Sequence, residues 1–203
     1  MHESNDIDVT TSLTRHLLCA VPQLSDPNFV RSVVLVVEHN EEGAFGLVLN
    51  NSLPTRIAEV TESLGLEWHG PADQTVRLGG PVEPVRGFVL HDSLDWDPLA
   101  EPICEDLFLT ATLDAISPDV GIGGEGRLLF TLGYAGWGEG QIEAEMISGS
   151  WVAVPVGGHV GVSARWILET PAESMWSGAL AAIGIDPARL VGHRGIGEPA
   201  AKA

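Results

Sequence analysis

The chain has 203 residues and carries 28 acidic side chains against ten basic ones, a formal net charge of −18. With 44% hydrophobic and 19% charged residues it has the composition of a globular domain, which excludes a disordered chain. The only lysine is Lys202, and between Gly87 and Ala164 one cation, Arg127, stands against twelve acids. Such a charge pattern offers no basic stripe for phosphates and argues against direct binding of nucleic acid.

Residues 1–12 are polar and read as a tail, as do residues 197–203. The stretch 13–196 contains no linker, repeat or low-complexity block and reads as a single domain. Leu13–Val21 opens it as a strand that Pro22 ends. Val33–His39 and Phe45–Asn50 are two more apolar strands, joined through Glu41-Glu42-Gly43 as a hairpin, with Gly43 free to take positive φ. Ile57, Ala58, Val60 and Leu64 recur at helical spacing and predict a helix over 55–64, stopped by Gly65. Short strands are expected at 75–78, 87–91, 107–110 and 127–134. A helix over 139–147, a strand over 151–156 and a helix over 172–183 complete the pattern. Strands dominate the first half, and helices are interspersed without regular alternation. This predicts an α+β fold with a complex mixed, partly barrel-like sheet surrounded by helices.

Cys19 and Cys104 are the only cysteines. Glu3, Asp6 and Asp8 stand where a signal peptide carries basic residues, and no apolar run approaches the roughly 20 residues of a membrane span. A cytoplasmic protein with reduced thiols and no membrane association is expected.

Familiar catalytic patterns fail on spacing. Gly136-Trp137-Gly138-Glu139-Gly140 lacks the G-x-G-x-x-G spacing of a dinucleotide cradle and reads as a glycine-rich turn packed around Trp137. Gly161-Val162-Ser163-Ala164-Arg165 lacks the second glycine of a nucleophile elbow. Cys19 lies in an apolar strand and Cys104 among acids that raise a thiol pKa. No histidines fall at the i, i+4 spacing of a helical zinc pair, so no metal or cofactor is expected. Glu38-His39 and His91-Asp92 both close apolar strands, and a metal site requires them to converge. The acidic run 91–106, interrupted by Pro98 and Pro102, reads as an extended solvated loop or a docking surface for a basic partner.

Four stretches together resemble one family. They are residues 22–29 (PQLSDPNF), 38–50 (EHNEEGAFGLVLN), Leu78-Gly79-Gly80-Pro81-Val82 with Arg86-Gly87-Phe88-Val89-Leu90-His91, and Leu132-Gly133-Tyr134-Ala135-Gly136-Trp137-Gly138-Glu139-Gly140-Gln141. In this order the chain is similar to the bacterial YqgE/AlgH family over about residues 13–194. The resemblance implies an α+β fold with a small barrel. It also implies a protein described as uncharacterised or, on genetic association, as a transcriptional regulator. It carries over no catalytic residues, cofactor or substrate. Asn51 stands where many members have lysine, which weakens an anion site at that end of the hairpin.

The motif glycines Gly43, Gly46, Gly79, Gly80 and Gly87 sit at strand ends, where turns demand φ values other residues resist. With Pro81, Gly133, Tyr134, Gly136, Trp137, Gly138, Gly140 and Gln141 they read as fold-specifying. Asn40 and Asn50 are expected to satisfy loop backbone, and Arg86 to pair with Glu38 or with loop carbonyls. The function expected is non-enzymatic binding and regulation, through a protein partner or small ligand, by a monomer or weak homodimer. The alternative is an enzyme with a polar pocket formed by Glu38, His39, Asn40, Asn50, Arg86 and His91, enough for acid–base work where they converge.

Overall fold

The computed structural model describes residues 12–111 and 126–191, so the expected tails and residues 192–196 fall outside it, Ser12 apart. The described residues form β1 (His16–Ala20), β2 (Val33–Asn40), β3 (Gly43–Val48), β4 (Ser52–Arg56), α1 (Ile57–Ser63), β5 (Thr75–Leu78) and β6 (Val82–His91). There follow β7 (Glu101–Cys104), β8 (Leu107–Thr110), β9 (Leu128–Gly138), α2 (Gln141–Ile147), β10 (Trp151–Pro155), α3 (Ala164–Glu169), α4 (Ala172–Ala182) and α5 (Pro187–Val191).

The fold is α+β. The main sheet runs β10-β1-β2-β3-β9-β6-β8-β7, with β4 paired to β5 and β5 to β9. All these pairings are antiparallel except β5 with β9, which makes the sheet mixed. β9 is its spine: Leu128–Tyr134 pairs with β6, Thr131–Leu132 with β5, and Ala135–Gly138 with β3. Among the described residues the sheet curls without closing. Its edges approach where a Cβ on Gly157, just past β10, would lie 3.7 Å from Cβ of Cys104 on β7.

Period-two alternation sorts the side chains into cores on either face. Leu17, Val33, Leu35, Leu47, Phe88, Leu90 and Leu129 fill the inner face, closed by Ile167 of α3 and by Met175, Trp176 and Leu180 of α4. On the other face α2 covers Leu18, Val34, Val36 and Trp137, and α1 covers Val76, Val89 and Phe130. All six tryptophans pack in or against these cores.

Several elements differ from the sequence expectation. The helix expected from residue 55 begins at Ile57, because 52–56 pairs with β5 and Glu59 caps the helix by accepting from the Arg56 backbone N–H (3.3 Å). The strand expected at 87–91 starts at Val82, and the one expected to end at Tyr134 runs on to Gly138, so α2 starts two residues late. The acidic run is not a wholly solvated loop. It contains β7, and Asp97 within it is 5% exposed because its carboxylate accepts from the Leu99 N–H (3.0 Å) and the Thr110 hydroxyl (2.8 Å). Helix α3, absent from the expectation, follows Ser163, whose hydroxyl accepts from the Trp166 N–H (3.1 Å) as an N-cap.

The glycine motifs meet in space. A Cβ on Gly80 (φ 153°) would lie 2.2 Å from the Tyr134 carbonyl, and one on Gly133 (φ 72°) 2.5 Å from the Gly80 carbonyl. Two backbones cross there with no room for a side chain, which is the physical content of the Leu78–Val82 and Leu132–Gln141 strings. Trp137 is held in the same spirit. Its indole N–H and that of Trp151 both donate to one Glu145 oxygen (3.0 and 2.8 Å), while Gln141 donates to the other (3.0 Å) and accepts from the Gly138 N–H (3.1 Å).

Candidate functional site

Two irregularities aim side chains at one place. A bulge between Val36 and Glu38 sets Glu38 opposite Phe45, so Glu38 shares the inner face with Phe45 and Val37 instead of following Val34 and Val36 to the other face. On β9 the left-handed Gly133 resets the alternation. Leu129 packs in the inner core and Leu128, Phe130 and Leu132 in the α1 cluster, yet Tyr134 packs inward and Ala135 outward. Both irregularities open onto a groove of about 390 Å³, lined by Glu38, Phe45, Arg86, Phe88, Glu101 and Tyr134, with Val37, Leu109 and Ala111 at its base.

Three rings form its floor. Phe45 lies 5.0 Å from Tyr134 and 5.5 Å from Phe88, centroid to centroid, and Phe88 lies 6.1 Å from Tyr134. The Arg86 guanidinium sits 5.1 Å above Phe88 and makes one 3.3 Å contact with Glu83, leaving most of its donors for solvent or a ligand. Glu38 accepts from the Asn40 amide (2.7 Å). The groove therefore offers aromatic faces, a cation and two carboxylates, and neither His39 nor His91 lines it.

Among the six candidate residues, then, Glu38 and Arg86 meet in this groove. Arg86 is half-exposed and pairs with Glu83, neither buried nor bonded to Glu38. Asn40 lies alongside, in a shallower depression next to Trp137, and its side-chain oxygen accepts from the Glu42 N–H (2.9 Å). His39 faces the opposite side of the sheet. Its Nδ1 accepts from the Leu13 N–H (3.0 Å) and its Nε2 donates to Glu143 (2.8 Å). The Glu143 backbone N–H and His39 together hold the Glu143 carboxyl below the usual range. Asn50 sits at the far end of β2, accepting from the Val33 N–H (2.8 Å) and donating to the Arg31 carbonyl (2.9 Å).

His91 is buried at 1% exposure, in contact with the Trp96 and Phe108 rings. Its Nε2 donates to the Thr110 hydroxyl (3.0 Å), which donates to Asp97. Burial pushes its pKa below the ordinary value, against the pull of the Ser93 backbone, Asp97 and Asp92. His91 pairs with Leu128 and His39, through Ala44, with Trp137. Nine residues of β9, roughly 30 Å at about 3.3 Å each, separate the two imidazoles, so they do not converge. Among the described residues no group of three or more His, Cys, Asp or Glu side chains is placed to hold a metal ion. Cys19 and Cys104 are both free, and burial pushes the Cys19 thiol up to about 12.

Phe45, Phe88 and Glu101 were not in the candidate set. Two of them lie inside the quoted strings, but their inward aim depends on a bulge and a kink that residue types do not announce. Glu101 stands in the acidic run, which reads as a solvated loop or a docking surface for a basic partner.

Residues 17–188 match the family described as AlgH-like. A UPF0301 protein of Myxococcus xanthus is 43% identical over 187 residues, covering 91% of this chain and 98% of the relative. One from Ralstonia nicotianae is 38% identical over 190 residues, covering 93% and 97%. The solution structure of the AlgH protein from Pseudomonas aeruginosa superposes with a TM-score of 0.67 at 34% identity, covering 97% of this chain and all of the other. A Corynebacterium diphtheriae protein superposes with the same score at 20% identity, covering 87% and 90%, and so shares the fold.

Proposed function

The chain belongs to the AlgH-like family, and from that premise we propose that it is a non-enzymatic binding protein whose small ligand occupies the Glu38–Arg86 groove. The observation that carries this reading is the meeting of Glu38 and Arg86 over three aromatic rings, while His39 and His91 are bound into the fold elsewhere. A recognition site needs apolar surface with a few convergent polar groups, and the groove has both. The imidazole, the commonest acid–base group at neutral pH, is missing from the described lining, since His39 and His91 face other surroundings.

Regulation, in this reading, passes from ligand to a protein partner in the cytoplasm. A net charge of −18 repels DNA, and the free thiols suit a reducing compartment. The protein works as a monomer or weak homodimer. Among the described residues no helix is long and apolar enough to cross a membrane.

The test is a ligand-observed NMR screen of a metabolite library against the native chain and the Arg86→Ala and Tyr134→Leu variants. Hits that both substitutions abolish are the expected result. A turnover reaction lost on replacing Glu38 or Arg86, or hits indifferent to both substitutions, would overturn it.

A further inference from the structure

A second cavity, of about 670 Å³, opens where the curled sheet fails to close, between the β7–β8 turn, the approaches to β1 and β9, and the loop from β10 into α3. Three of the chain's nine arginines line it, each from a different element: Arg15 before β1, Arg127 before β9 and Arg165 in α3. Two are fixed by carboxylates. Arg127 donates to Asp92 (2.8 Å) and Glu169 (2.5 Å), and Glu169 also accepts from Nε of Arg165 (2.8 Å). One carboxylate thus holds two guanidinium groups side by side, and among the described residues the outer N–H groups of Arg165 have no partner.

Arg15, Glu105 and Asp106 also line the cavity, and none of them forms an ion pair among the described residues. Unlike charges facing one space without pairing leave its lining polarised. Arg15 is placed by its backbone, whose N–H donates to Val36 and whose carbonyl accepts from Val156, at φ 63°. Asp106 sits at φ 60° in the turn between β7 and β8. A long side chain such as Arg15 adopts this left-handed conformation only where the surrounding structure imposes it, whereas aspartate tolerates it.

A simple anion is met by Glu105 and Asp106, unpaired among the described residues, and by the field of an acidic protein, and a simple cation is met by Arg15 and the outer face of Arg165. A molecule carrying both charges satisfies both sets. We propose that this cavity binds a small zwitterion, one with a carboxylate or phosphate for the arginines and an ammonium group for the β7–β8 turn. The site is separate from the aromatic groove, and the proposal does not depend on it. The volume lies within the range of small-molecule sites and admits a dipeptide.

Glycylglycine serves as the probe, with N-acetylglycylglycine (anion only) and glycylglycinamide (cation only) as blocked counterparts, each titrated into the full ¹⁵N-labelled chain. The expected result is that glycylglycine shifts the amides of Cys104–Asp106 and Gly157–Gly158, with either blocked form at least about tenfold weaker. Arg15→Gln and Asp106→Asn are each expected to weaken it by about tenfold, with the rest of the spectrum unchanged. Asparagine tolerates the left-handed backbone at 106, and Arg165→Gln on the exposed face of α3 is the second variant should Arg15→Gln not fold. Equal binding of the anion-only form, or no shift at these amides from any of the three at about 20 mM, overturns the proposal.

Discussion

The Phe29–Trp137–Trp151 cluster and the Phe45–Phe88–Tyr134 cluster are each three rings on the same curled sheet, with centroid spacings of 5.6–6.4 Å and 5.0–6.1 Å. They are finished differently. The first lies under α2, and its indole N–H groups both end on Glu145. Among the described residues the second has no helix over it, and its cation, Arg86, makes one contact, with Glu83. Aromatic content alone therefore does not separate a structural cluster from a recognition surface; the disposition of the polar groups around it does.

The largest effect is expected where the two regions join. Gly80→Ala drives a Cβ to 2.2 Å from the Tyr134 carbonyl and requires backbone to move, at a cost above about 4 kcal/mol, so the variant should not accumulate as folded protein. A soluble Gly80→Ala protein with native near-UV circular dichroism would break the account of the crossing.

Next is the closed cluster. Glu145→Ala strands two indole donors, and is expected to cost about 3 kcal/mol, read as a fall of roughly 6–12 °C in Tm. The open cluster should behave otherwise. Arg86→Ala removes an exposed cation–π contact and is expected to change stability by under about 1 kcal/mol while abolishing ligand binding. A similar loss of stability from both substitutions would erase the distinction.

The smallest effect is on pH dependence. His91 is neutral in the folded chain because burial lowers its pKa, and unfolding lets it take up a proton. Its contribution is fully present above the unfolded pKa of about 6.5 and declines as pH falls through it towards the folded value, with a slope of at most about 1.4 kcal/mol per pH unit. Urea unfolding between pH 7.5 and 5.5 should show this slope in the native chain and a shallower one in His91→Phe.

Much of this architecture is legible in the sequence. The hairpin at Gly43, the helix stop at Gly65 and helix α4 follow from spacing and turn chemistry, and the backbone-satisfying roles of Asn40 and Asn50 from their short amides. The groove was half legible. Glu38 and Arg86 stood in conspicuous strings, but a one-residue bulge decides which face Glu38 takes, and period-two reading without it points the wrong way. His91 and His39 close strands in similar sequence surroundings. Only the pairing partners along β9 reveal that they sit at opposite ends. Asp97 looked solvated because its partner, Thr110, lies 13 residues away on another strand.

The chain has a single tyrosine, Tyr134, and it lies in the groove. Labelling with 3-fluorotyrosine therefore places one ¹⁹F resonance at the proposed site, and 5-fluorotryptophan places others at the closed cluster. Titration with the hits of the metabolite screen is the most direct test of the central claim. The account predicts a saturable shift of the tyrosine signal, absent in Arg86→Ala, with the Trp137 and Trp151 signals unmoved. A stationary tyrosine signal alongside moving tryptophan signals would contradict it.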